Sequence, residues 1–322
     1  MYIMFFSRIV SLLSSVLLST AILVPLSKTR LHSTLHTNQQ PVCNVLALSG
    51  GGSFGATQMG LLDGLLSNGV IPATYDIITG ISAGGLNAGF LSYYTNMNDA
   101  LPKIYTIYAN LTTASIYSSD IFHILSTYAL YSTAPLQTTL GNIIGTQVQQ
   151  SPAPITLVGS TNVNTQTLDV FQYNLADISE KIQLLMATSA IPFVFPPQTM
   201  NGDLYVDGGV ISNEMIQQAV SAKDCGFYNF TFISASSMHQ SQNVSGFISY
   251  VSAIGNLLLN TFDYQLAEYE SVKCSNTPRG LITACFPTSP DLAKYSILNF
   301  DYGTILYNLG KSAFTCNQYN FC

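Results

Sequence analysis

Charge is what this sequence has least of. Of 322 residues only 10 are Lys or Arg and 16 are Asp or Glu, a charged share of 8%, against about 25% in ordinary soluble domains. The surface must therefore be covered largely by Ser, Thr, Asn, Gln and Tyr. The net charge is −6 and the longest basic cluster spans only residues 28–30. That excludes a nucleic-acid binder, because neutralising phosphates needs clustered Lys and Arg. There is no C-x-x-C and no H-E-x-x-H, and the four histidines are scattered; this spacing offers no metal centre, and no cofactor is expected. No internal repeat is present, and nothing in the composition marks a boundary after residue 42. A single domain over residues 42–322 is the expectation, long enough to bury a large core.

What is there begins with a targeting segment over residues 1–26. Arg8 precedes an apolar run over residues 9–26, and Lys28 and Arg30 follow it. The run is long for a signal-peptide core and short for a spanning helix, so a cleaved signal and an N-terminal anchor both fit. Residues 27–41 read as a polar spacer. All six cysteines (Cys43, Cys225, Cys274, Cys285, Cys316 and Cys322) lie beyond the leader. An even number placed so points to disulfides and an oxidising compartment: secreted, lumenal (lysosome or vacuole), or anchored through residues 9–26. Six cysteines allow fifteen pairings; Cys316 with Cys322 and Cys274 with Cys285 are the most local. Sequons at Asn110, Asn229 and Asn243 are available for glycosylation.

The chain is organised around residues 76–89, DIITGISAGGLNAG. Ile77, Ile78 and Thr79 read as a buried strand. Gly80-Ile81-Ser82-Ala83-Gly84 then fits G-x-S-x-G, with the small residues Gly85, Ala88 and Gly89 on the following helix. A serine on a sharp strand-to-helix turn is forced outward, beside amides that stabilise negative charge. Upstream, residues 42–48 read as a first strand. It runs into Gly50-Gly51-Gly52-Ser53-Phe54-Gly55 and a helix ended by Asn68-Gly69. Two successive βα units imply a parallel sheet covered by helices. The glycine turn also satisfies G-x-G-x-x-G, but a dinucleotide site needs an acidic residue after the second strand, and Asp76 stands before it. No Lys-Ser/Thr follows, so a P-loop is excluded. An oxyanion turn, in which consecutive glycine amides converge on a developing alkoxide, fits better than either.

Further along, the Tyr- and Thr-rich residues 99–149 read as helices and loops over the sheet. Residues 155–160 and 168–173 read as two strands joined by a turn, and residues 180–188 as a helix stopped by the prolines of an extended apolar loop over residues 189–197. Leu204-Tyr205-Val206-Asp207-Gly208-Gly209 is a strand ending in a carboxylate and two glycines, with a helix expected from about Asn213. Residues 227–235 form another strand, and the apolar stripe from Phe247 to Leu266 has helical spacing that suits core packing better than a membrane surface.

Taken together, Gly50-Gly51-Gly52-x-x-Gly55, Gly80-x-Ser82-x-Gly84 and Asp207-Gly208-Gly209 resemble, in content and order, the patatin-like phospholipase family, as does Ser189-Ala190-Ile191-Pro192 through Pro196-Pro197. The resemblance covers about residues 42–220. It implies an α/β fold, a three-layer α/β/α sandwich around a mostly parallel sheet, and metal-independent hydrolysis of lipid acyl esters by a Ser–Asp dyad. Ser82 would be the nucleophile, Asp207 its partner, and Gly50, Gly51, Gly52 and Gly55 the oxyanion turn. The implied partner is a phospholipid or other glycerolipid held in a membrane or micelle surface. The family often has Arg or Lys before the last glycine of the first motif, where this chain has Phe54. Two rivals remain. The order Ser82, Asp207, His239 is also that of an α/β-hydrolase triad, and a secreted storage or binding protein could use the same scaffold.

Overall fold

The computed structural model describes residues 41–119, 127–235 and 279–321. The leader, the spacer before residue 41, His123, His239, Asn243, the apolar stripe of residues 247–266, Cys274 and Cys322 lie outside the described residues.

The chain alternates strands and helices. β1 (Val42–Leu48) leads through the glycine turn into α1 (Gly55–Ser67), and β2 (Ile77–Ile81) leads directly into α2 (Ala83–Leu91). Both units occur where the sequence places them. Then follow α3 (Met97–Asn110), α4 (Thr113–Ile116), a small ribbon of β3 (Ser118–Ser119) with β4 (Tyr131–Ser132), and α5 (Ala134–Ile144). β5 (Ile155–Asn162) and β6 (Thr167–Gln172) form the expected hairpin, followed by α6 (Ile178–Thr188), whose first turn is capped by the Asp177 carboxylate accepting the Glu180 amide at 2.9 Å. β7 (Gln198–Met200), β8 (Asp203–Asp207), α7 (Ile216–Ala222), β9 (Phe227–Ile233), β10 (Gly280–Pro287), α8 (Gly303–Ser312) and β11 (Phe314–Phe321) complete the described chain.

Among the described residues the main sheet has the order β11-β10-β9-β1-β2-β5-β8-β7, with β6 also paired to β5. Its centre is parallel: β1 pairs with β2 and β9, β2 with β5, and β9 with β10. The flanks are antiparallel. Successive side chains of a strand point to opposite faces, and β1 uses both. Leu46 and Leu48 join a core with α1, α2, α3, α5, α6 and α8, while Cys43, Val45 and Ala47 join a second core with Ile216 and Ala219 of α7. A mostly parallel sheet with apolar cores on both faces is a three-layer α/β/α fold.

Three local expectations need correction. Cys43 is bonded to Cys225, and Cys285 to Cys316, so neither local cysteine pairing holds. Cys285 and Cys316 face each other directly in the β10–β11 register; sheet pairing, not chain proximity, selects the partner. Residues 189–197 are not simply extended, since the Val194 and Phe195 amides both return to the Ile191 carbonyl in a tight turn. The helix expected from Asn213 starts at Ile216, where the Glu214 side chain accepts the Ile216 amide at 2.7 Å. This leaves Asn213 in the preceding turn.

Of the sequons, Asn110 is exposed at the end of α3. Asn229 is half-buried within β9, with its amide nitrogen bonded to Asn44 Oδ1 at 3.1 Å, a poor position for a glycan. Among the described residues no helix is long and apolar enough to cross a membrane.

Candidate active site

One strand brings the two distant motifs together. Gly159 of β5 lies opposite Ile81, the last residue of β2, and the next residue, Ser160, lies opposite Asp207, the last residue of β8. Consecutive positions on β5 thus set Ser82 and Asp207 side by side. The Ser82 hydroxyl is close enough to the Asp207 carboxylate to favour its ionised form, and the Gly209 amide donates to Asp207 Oδ1 at 2.8 Å. Both side chains are buried.

Ser82 occupies the elbow in the strained form its motif anticipates, with φ 53° and ψ −124°. Such a conformation costs on the order of 1–3 kcal/mol in a non-glycine residue and persists because its surroundings fix it. The turn is so tight that a Cβ on Gly80 would run into the Gly84 carbonyl oxygen. The Ser82 amide donates to Thr188 Oγ1 at 2.9 Å, and the Thr188 hydroxyl donates to the Gly159 carbonyl at 2.5 Å. Although it precedes α2, the Ser82 side chain makes no capping bond, which leaves its hydroxyl for Asp207.

Burial pushes the Asp207 carboxyl up to about 6, outweighing the hydrogen bonds from Ser82 and the Gly209 amide that favour its ionised form. It is therefore ionised at neutral pH yet far more basic than a carboxylate in water. Gly208 begins the 3₁₀ turn after β8, and the Asp207 amide donates to the Ala190 carbonyl at 2.9 Å. The proline-rich loop is thereby tied to the site.

The four glycines of the first motif have different duties. The Gly50 amide is already engaged, donating to Asn213 Oδ1 at 2.7 Å, and the Gly55 amide turns back to Gly52 and Ser53. An oxyanion role for those two amides does not fit this geometry. Gly51 and Gly52 donate no hydrogen bond among the described residues. Gly52 stands at φ +56° against the Ile297 carbonyl, where a side chain has no room. Phe54 is buried in the larger core, so it projects no head-group contact.

From this point a cavity of about 80 Å³ runs between α2, α3 and α5, lined by Gly52 and Ala83 and by Leu86, Phe90, Leu140 and Ile144. It has room for on the order of six water-sized groups. Among the described residues no cluster of His, Cys, Asp and Glu is suited to a metal ion. Asp76 is a structural residue at the far end of β2, accepting from the Asn44 amide at 3.0 Å and paired with Lys223 at 2.7 Å.

Sequence reasoning missed Thr188 and Asn213. Both are buried, and both hold a backbone amide of the candidate site, Gly50 by Asn213 and Ser82 by Thr188. The only local signal was a polar residue at the boundary of an apolar element.

The family model described as patatin-like phospholipase matches residues 46–220. An uncharacterised protein of Acanthamoeba polyphaga mimivirus, R571, is 24% identical over 174 residues, covering 52% of this chain and 58% of that protein. The chain thus matches little more than half the length of that curated relative. The crystal structure of VipD from Legionella pneumophila superposes with a TM-score of 0.36 at 12% identity, covering 87% of this chain and 68% of that one. The family match spans more than half of the sequence, and the chain belongs to the patatin-like phospholipase family.

Proposed function

We propose that the protein hydrolyses fatty acyl esters of phospholipids or other glycerolipids through an acyl-enzyme on Ser82, with Asp207 as the base. The observation that carries this reading is the pairing of buried Ser82 and buried Asp207 through adjacent positions of β5, with Ala83, next to Ser82, lining an apolar cavity. The acyl chain enters the cavity, and its ester carbonyl lies beside Gly51 and Gly52. Ser82 Oγ attacks the carbonyl carbon while Asp207 takes the hydroxyl proton, and the two glycine amides receive the charge that develops on oxygen. When the tetrahedral species collapses, the C–O bond to the leaving alcohol breaks and Asp207 returns the proton to it. Water then attacks the acyl-enzyme, again losing a proton to Asp207; the fatty acid leaves and Ser82 regains its hydrogen. A base titrating near 6 is well matched to a proton it must both take and return near neutral pH.

The disulfides support an oxidising working compartment, as the leader does, and the secretory pathway is the proposed location. The test is fatty-acid release from mixed glycerolipid substrates by the purified protein. Ser82→Ala and Asp207→Asn each remove it while the fold persists. His239→Ala leaves turnover close to wild type; loss of activity there assigns the base to a triad, and no hydrolysis by the wild type favours a storage or binding role.

A further inference from the structure

We infer that the rim of this site is a docking surface for a neutral, phosphatidylcholine-type lipid surface, formed by Tyr128, Phe193, Val210 and Ile211. The inference rests on the lipid-hydrolase reading for its purpose, but its contacts stand on their own.

All four side chains are exposed, Tyr128 by 73% and Phe193 by 77%, and all are connected to the Asp207 side of the site. Val210 and Ile211 belong to the turn that follows Asp207 directly. Phe193 sits in the tight turn tied to the Asp207 amide through Ala190, and its carbonyl accepts the Leu130 amide at 3.0 Å. The Tyr131 amide donates to Val194 at 3.1 Å, so the segment carrying Tyr128 is clipped to the one carrying Phe193.

The backbone gives an independent indication. Tyr128 stands at φ 58° and Phe193 at φ 64°, a left-handed conformation in which bulky residues are outliers and which costs free energy. Packing within the molecule does not offset that cost, because both side chains face outward. Two large aromatics held outward at such positions, on segments clipped to one another and tied through Ala190 to the Asp207 backbone, are arranged for contact with something outside the chain.

Charge selects what that is. Residues 121–168 and 182–202 contain no Asp, Glu, Lys or Arg, and within residues 204–213 the one charged residue is the buried Asp207. Anionic membranes are recognised by Lys and Arg clusters, and a protein partner is usually met by a polar rim. An aromatic and aliphatic rim without charges fits the headgroup–acyl boundary of a zwitterionic lipid surface, where Tyr and Phe settle. Docked so, the Asp207 side of the site would face the lipid surface.

The experiment uses full-length protein carrying Ser82→Ala, so that vesicles are not consumed, and measures co-sedimentation with phosphatidylcholine vesicles. The inactivated parent is expected to bind. Phe193→Ser and Ile211→Ser are each expected to weaken binding on the order of tenfold, from the transfer of one apolar side chain, and Tyr128→Ser with Phe193→Ser to weaken it further. Binding is expected to be unchanged between about 0.05 M and about 0.5 M salt, where surface charge contacts would be screened. No sedimentation of the parent, equal binding by the variants, or loss of binding at high salt would each overturn the inference. Because nothing is hydrolysed in this assay, its failure is separable from failure of the hydrolase reading, which is read on a dispersed short-chain ester with Ser82 intact.

Discussion

Replacing Asp207 by Asn should make the protein inactive and, above pH 6, more stable. The carboxyl titrates at about 6 in the folded chain, against an ordinary value of 3.8. Between those values the folded state holds a proton that the unfolded state has lost, so stability falls as pH rises. At about 1.4 kcal/mol per tenfold change in proton affinity, the difference amounts to about 3 kcal/mol. That penalty is absent below about pH 4 and fully present above about pH 6. Asparagine never ionises and so escapes it. Its Oδ1 can keep the Gly209 amide, now at 2.8 Å, and its Nδ2 faces the Ser82 hydroxyl, which can accept from it. The assay is urea denaturation of both proteins with disulfides intact, extrapolated linearly at several pH values. The expected result is a gap close to zero at low pH that grows to about 3 kcal/mol in favour of Asp207→Asn above neutrality. A gap that does not change with pH, or one that favours the wild type above pH 6, would refute the assignment of burial as the cause of the raised value.

Three other outcomes are expected. Asn213→Ala releases the Gly50 amide; kcat on a dispersed short-chain ester should fall on the order of tenfold with little change in KM, because the turn presenting the Gly51 and Gly52 amides loses its anchor. Thr188→Val keeps the side-chain shape but strips the Ser82 amide and the Gly159 carbonyl of a buried partner; a loss of about 1–3 kcal/mol in denaturation is expected, with lower kcat. Leu86→Trp fills the cavity beside Ala83 and should lower the ratio of long-chain to short-chain ester turnover severalfold, read from product profiles across a chain-length series.

The parts legible in the sequence were those whose cause is local. An apolar run, a glycine turn and an apolar helix declare β1 to α1 within a few residues, and the elbow at Ser82 declares itself through the small residues that a sharp turn demands. Asp207 was legible because a carboxylate followed by two glycines ends a strand. What stayed hidden depends on register. That Asp207 reaches Ser82 follows from Gly159 and Ser160 being adjacent on β5, which no local pattern in either motif reveals. The same holds for Cys285 with Cys316, set opposite each other by the β10–β11 pairing. Asn213 and Thr188 look like ordinary boundary residues until their partners, Gly50 and Ser82, arrive from elsewhere in the chain. The turn over residues 191–195 eluded the extended reading because Pro192 constrains φ without fixing where the chain reverses.

The central claim is that the Asp207 carboxylate activates the Ser82 hydroxyl, and the most direct measurement is the rate of covalent labelling by a fluorophosphonate as a function of pH. The label is expected on the peptide containing Ser82, at a rate that falls as pH drops through about 6, where Asp207 gains its proton, and the reaction should be nearly lost in Asp207→Asn. Label on a different residue, or a Ser82 rate indifferent both to pH in that range and to Asp207→Asn, would contradict it.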